Sequence, residues 1–127
     1  MQKIHDEYPE PTTLLFLCTQ YRAAEEWDEI VHATAGMTND DDLTLQICLW
    51  QAEAMEKQDM PDAALEVYRE ALKSKKRDVE LLKEARYGRA NLCVGMGKRA
   101  MAKRDLGRLY TEDPDYENVG ALLRTLG

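Results

Sequence analysis

The chain reads as an all-α protein built from antiparallel helix-turn-helix repeats, and three observations predict that class. Ala52, Ala64, Leu65 and Tyr68 align with Ala90, Ala102, Lys103 and Leu106 at a constant offset of 38 residues. Self-similarity at that length marks a helical hairpin used more than once, because one copy cannot bury its apolar face alone. Apolar residues elsewhere fall mostly three and four apart, which is the spacing of a helix face. Turn residues are scarce, with seven glycines and four prolines in 127 residues, and β-branched runs are missing, which argues against a β-sandwich. That length accommodates a single domain, residues 1–127, with a moderate core.

Residues 1–11 read as an irregular lead-in, since Pro9 and Pro11 discourage helix until about Thr12. Thr12 or Thr13 is expected to cap a segment carrying Leu14, Leu17, Cys18, Tyr21, Ala24, Trp27, Ile30 and Val31 and stopping near Gly36. The periodicity fits one long helix or two short ones. Thr38 to Asp42 is a polar, acidic hinge, so residues 12–42 serve as an N-terminal helical cap. Three consecutive aspartates raise calcium binding, but the glycine and closing glutamate of a calcium loop are missing. Capping and favourable charge at the start of the next helix account for them.

A helix is expected over Leu43–Lys57, followed by a turn at Asp59–Asp62. Pro61 suits the first turn of the following helix, whose inward face is Ala64, Leu65, Tyr68, Ala71 and Leu72. Lys73–Asp78 is a charged junction. The next helix, Val79–Met96, has Leu82, Ala85, Ala90 and Cys93 as inward candidates and is broken by Gly95-Met96-Gly97. Arg99–Tyr110 forms another, closed by Asp113-Pro114, and residues 115–127 form a C-terminal cap with a short helix over 116–126.

Cys18, Cys48 and Cys93 are odd in number, far apart and set among apolar neighbours, as small core thiols in a reduced compartment are. Neither a CxxC pair nor a Cys/His cluster marks a zinc site, so no metal or other cofactor is expected. The start of the chain lacks the basic and apolar segments of a signal peptide, and the longest apolar run is Leu14–Cys18. A cytoplasmic protein with no membrane partner is the expectation.

No catalytic residue is assigned. His5 lies in the lead-in, and His32 has no nucleophile or ligand partner near it in sequence. Gly97-Lys98 lacks the first glycine and the hydroxyl residue of a phosphate loop, since Leu92 and Arg99 stand there. Met55, Met60, Met96 and Met101 read as flexible filler of core or interface.

The net charge of −7 is unevenly spread: residues 1–42 hold ten acids against Lys3 and Arg22, while residues 73–108 hold twelve bases against four acids. Lys73, Lys75, Lys76 and Arg77 lie at the junction, and Lys98, Arg99, Lys103, Arg104 and Arg108 recur along the later helix, with 99, 103 and 104 on one face. Such a surface fits an acidic partner or a nucleic-acid backbone. The acidic total and the lack of an aromatic platform argue against nucleic acid. A solvated face, or pairing with the acidic residues 25–42, is the simpler use.

The paired pattern over residues 43–114 resembles the tetratricopeptide repeat family. In the second copy, residues 79–114, Ala85, Tyr87, Ala90, Asn91, Gly97, Ala102, Leu106 and Asp113-Pro114 carry the likeness. In the first, residues 43–78, Ala52, Ala54, Ala64, Leu65, Tyr68, Ala71 and Leu72 carry it, with Asp59 in place of the turn glycine. Small residues at 52, 64, 90 and 102 let paired helices approach closely, while Tyr68 or Leu106 fills the adjoining gap. Gln51, Arg86 and Arg89 stand where the family carries large apolar residues, and the first copy lacks the closing proline. Two copies are fewer than the three or so that a stable stack needs, so the terminal segments, or self-association, must cover the ends.

The resemblance implies a non-enzymatic adaptor that binds a protein or peptide in a concave groove. Gln46, Leu49 and Glu53 would line it from the first copy, and Lys83, Tyr87 and Asn91 from the second. Relatives that clamp a terminal carboxylate do so with an asparagine at the place of Asn91 and a lysine one turn earlier, where this chain has Tyr87. Asn91 bonding a peptide backbone under a packed Tyr87 is one expectation. A half-buried Tyr87 beside a solvated Asn91 is the other.

Overall fold

In the computed structural model, residues 10–127 are described. They form seven helices and no strand: α1 (Pro11–Ala23), α2 (Trp27–Ala33), α3 (Asp42–Lys57), α4 (Pro61–Ala71), α5 (Val79–Met96), α6 (Arg99–Glu112) and α7 (Val119–Leu126). The all-α expectation holds. None of these helices is long and apolar enough to cross a membrane.

The N-terminal segment corrects two details. Helix α1 begins at Pro11, not Thr12, and neither Thr12 nor Thr13 caps it; Glu10 holds the cap position without a side-chain bond. Proline fits there because the first helical N–H has no intrahelical partner to lose. The remainder of the expected lead-in, residues 1–9, lies outside the described residues. The second detail is that the segment is two helices. Glu25 adopts φ 56°, and the Glu26 and Glu25 amides donate back to the Tyr21 and Arg22 carbonyls. That pattern ends a helix on a left-handed residue.

The same closure recurs twice. Asp59, at φ 60°, ends α3 with the Met60 amide on the Met55 carbonyl. Gly97, at φ 77°, ends α5 with the Lys98 amide on the Cys93 carbonyl. Asp59 thus adopts the same left-handed conformation at the end of α3 that Gly97 adopts at the end of α5. At the start of α3, the Asp41 side chain accepts from the Thr44 amide at 2.9 Å while the Thr44 hydroxyl accepts from the Asp41 amide at 2.9 Å. The aspartate run is therefore a capping box, and its hydrogen bonds hold the Asp41 carboxyl below its usual range.

Connections of three residues between α3 and α4, and of two between α5 and α6, turn each broadly contacting pair into an antiparallel hairpin. Ala52, Ala64, Ala90 and Ala102 are all fully buried within one core cluster. Helix α3 is central, touching α1, α2, α4 and α5. Its Ile47 and Ala54 close a second cluster with Leu14, Cys18 and Ile30, while Leu45, Leu49 and Ala52 face the first. Gln51 is buried and donates to the Thr34 carbonyl at 2.9 Å, tying α3 to the end of α2. Helix α7 covers the far end through Val119 and Leu126. The three cysteines are buried free thiols.

Tyr68 joins the two hairpins. Its ring lies against Gly88 of α5, where a Cβ would come within 2.6 Å of the phenol oxygen. The hydroxyl donates to Glu56 of α3 at 2.7 Å.

Replacing Ala64 or Ala102 by Leu overpacks these contacts and lowers stability by about 1–3 kcal/mol in urea unfolding. Gly107→Ala, in α6 with no atom within 4 Å of the new Cβ, raises stability by about 0.5–1 kcal/mol.

Candidate functional site

A cleft of about 320 Å³ opens between the two hairpins and α1. Residues 84, 87, 88 and 91 of α5 recur at helical spacing and form one wall; Leu49, Trp50 and Glu53 of α3 form the other, with Arg22 of α1 at the rim. The Arg22 guanidinium reaches Glu53 at 2.8 Å and lies 5.0 Å above the Trp50 ring. Across α3, the Lys57 ammonium sits 5.7 Å from the Trp27 ring centre.

The cleft is electrically unbalanced. Among the described residues lining it, Glu53, Glu56 and Glu84 meet only Arg22 and Lys57, and Arg22 is committed to Glu53. Desolvation pushes the Glu56 carboxyl above its usual range, partly offset by the Tyr68 hydrogen bond and increased by the nearby Glu53 charge. Desolvation likewise raises Glu84, against the Gln46 hydrogen bond and the Arg22 charge. A carboxylate in that state gains from any cation brought to it.

The structure brings four of the six groove residues together here: Leu49, Glu53, Tyr87 and Asn91. Gln46 stands beside them, half-buried against Glu84. Lys83 does not face the cleft. Its ammonium bonds Asp113 at 3.2 Å and Glu80 at 3.3 Å, between the start of α5 and the end of α6. Tyr87 is half-buried, its hydroxyl donating to Asn118 and its ring meeting Tyr116 edge-on at 5.6 Å. Asn91 is exposed, with its amide N–H on the Tyr87 carbonyl at 3.0 Å. Arg22, Trp50, Glu56 and Glu84 are cleft residues that the repeat pattern did not single out. The visible signal was their helical spacing from the residues that were, such as 53 and 56 or 84, 87 and 91.

The expected basic surface divides. Lys98 is exposed at the N-terminal end of α6. Arg99 and Lys103 donate to the Leu126 and Gly127 carbonyls and hold the end of α7. Arg104 does not share their face: it borders a separate depression with Arg86, Arg89 and Arg108. The junction pairs with the hinge, as Arg77 donates to the Asn39 side chain and carbonyl, each at 2.9 Å, and the Asp78 amide donates to Asp42.

A larger depression of about 500 Å³ lies on the opposite flank of α3, beside Met37, Cys48 and Val67. Burial pushes the Cys48 thiol up to about 11, so it stays protonated at neutral pH and is a poor nucleophile. His32 is exposed on α2, its Nδ1 2.8 Å from the Asp28 carbonyl; His5 lies outside the described residues. No family model, curated protein or solved structure matches this chain.

The raised Glu56 carboxyl has a consequence for stability. Above its ordinary value of 4.5 the unfolded chain releases this proton before the folded one, so the group disfavours folding increasingly as pH rises through that window. Glu56→Gln keeps an acceptor for Tyr68 and removes the charge. Its melting temperature relative to the parent rises between pH 4 and pH 7; a flat difference across that range would contradict the assignment.

Proposed function

We propose that the chain is a non-catalytic interaction module, a two-repeat tetratricopeptide-like stack whose cleft between α1, α3 and α5 holds an extended, cationic peptide segment. One observation carries this reading: the half-buried Glu56 and the exposed Glu84 line, with Glu53, a cleft whose arginine is already paired. An incoming lysine or arginine returns to those carboxylates the stabilisation lost with solvent. Trp50 and Tyr87 supply apolar wall on either side, and Asn91 offers an exposed amide to a peptide backbone.

The stacked-repeat part rests on four fully buried alanines at matched positions and on left-handed turn residues, Asp59 and Gly97, at matched ends. It also rests on the packing of α3 and α4 against α5. The terminal helices cover the stack, as two copies require. Buried free thiols suit a reduced, cytoplasmic setting. Nucleic acid draws less support, because the basic residues divide between α7, the hinge and one depression and make no continuous stripe.

Fluorescence anisotropy with a labelled nonapeptide of alternating lysine and leucine tests the reading, with the glutamate–leucine counterpart as comparison. The basic peptide binds and the acidic one does not. Glu84→Lys weakens binding by about tenfold or more, on the order of a lost charge-assisted contact. Equal affinity for both peptides, or no binding of either, overturns the proposal.

A further inference from the structure

On the flank of α5 opposite the cleft lies a second concavity, of about 350 Å³ and strongly basic. Residues 86 and 89 point there, about half a helical turn from 84, 87, 88 and 91 at 3.6 residues per turn. Helix α6 contributes Arg104 and Arg108, and α4 with its exit contributes Arg69, Lys73 and Lys75. Asp105 is the one acid in the lining.

The pairing leaves a surplus. Arg89 and Asp105 form a bidentate pair, both contacts at 2.8 Å, with Asp105 buried. Arg69 and Lys73 meet Glu66 and Glu70 along their own helix and its exit. Glu112 serves Arg86 and Arg108 together, at 3.8 and 3.7 Å, distances beyond a hydrogen bond. Among the described residues, seven cationic side chains therefore face four carboxylates, an excess of three.

Arg86 is the telling residue. It is only 5% exposed, yet among the described residues its guanidinium makes no hydrogen bond. Burial and the Arg108 charge work against its protonated form, partly offset by the Glu112 and Asp105 carboxylates. A buried, unbonded guanidinium is a heavy penalty for a fold to carry.

We infer that this basin between α4, α5 and α6 is a binding site for a diphosphate group, with Arg86 as its buried donor and Arg104, Arg108 and Lys75 at its mouth. One phosphate group carries a charge of about −1.5 to −2 near neutral pH, so two joined groups answer the excess of positive charge. Guanidinium forks give each oxygen paired donors. The site is separate from the cleft and does not depend on the peptide reading. Free pyrophosphate and a nucleoside diphosphate share the chemistry recognised.

Titration calorimetry on the full chain at low ionic strength, with pyrophosphate, orthophosphate and ADP, tests the assignment. Pyrophosphate binds one to one and more tightly than orthophosphate, and its affinity falls as salt rises. ADP binding as tightly as pyrophosphate assigns the site to the diphosphate alone; tighter ADP binding assigns it to a nucleotide. Arg104→Glu, an exposed change, weakens pyrophosphate by about tenfold or more. Arg86→Met abolishes the rise in melting temperature that pyrophosphate produces while leaving the unliganded protein no less stable, because a methionine suits the buried position. A ligand-free structural role for Arg86 would instead lower the unliganded melting temperature. Absence of saturable pyrophosphate binding, Arg104→Glu binding like the parent, or oligothymidylate binding that pyrophosphate does not displace overturns the proposal.

Discussion

The Tyr68 ring pressed against Gly88 is the joint on which the architecture turns. The two helices of each hairpin pack on each other, but burying the apolar face that remains requires side-by-side docking, and that needs a residue reaching from one hairpin to the next. Tyr68 does this from α4, spanning to the α5 backbone through a space that only a glycine leaves open. Its hydroxyl is anchored on Glu56 of α3, so three helices meet at one side chain. Burial there raises the phenol well above its usual range, which keeps it a donor to Glu56 across the neutral range.

From that joint the two concave surfaces follow. Close docking of α4 on α5 fixes which side of α5 opens toward α3 and which toward α6. The first side gathers Glu84 with Glu53 and Glu56 into an acidic cleft; the second gathers Arg86 and Arg89 with the arginines of α6. Helix α5 thus separates carboxylate-rich and guanidinium-rich concavities on its two opposite faces. The opposed charges also bear on cohesion, since Arg89 spends its guanidinium on Asp105 and so pins α5 to α6.

Much of the fold was legible because it depends on periodic, local signals. Helix spans over 43–57 and 79–96, Pro61 at a helix start and Gly97 at a helix end each follow from one or two residues and agree with the structure. The break at Glu25 was not legible, because a glutamate at φ 56° has no compositional mark; packing of α2 on α3 imposes it. The missed cleft residues share one cause. Glu56 looks like an ordinary exposed glutamate until neighbouring helices half-bury it, Glu84 joins it only when α5 docks on α3, and Arg86 and Arg104 become neighbours only when α5 and α6 pair. Gly88 had a signal, a glycine inside a helix, whose reason lies 20 residues away in Tyr68.

A double-mutant cycle at Tyr68 and Gly88 tests the joint most directly. Unfolding in urea would be measured for Gly88→Ala alone, Tyr68→Leu alone and the two together. With the tyrosine ring in place, the added methyl group destabilises the protein by about 1–3 kcal/mol. Once Tyr68→Leu has opened the space, the same change becomes neutral or stabilising by up to about 1 kcal/mol, as helix propensity dictates. An equal effect of Gly88→Ala in both backgrounds would show that the two hairpins are held together elsewhere.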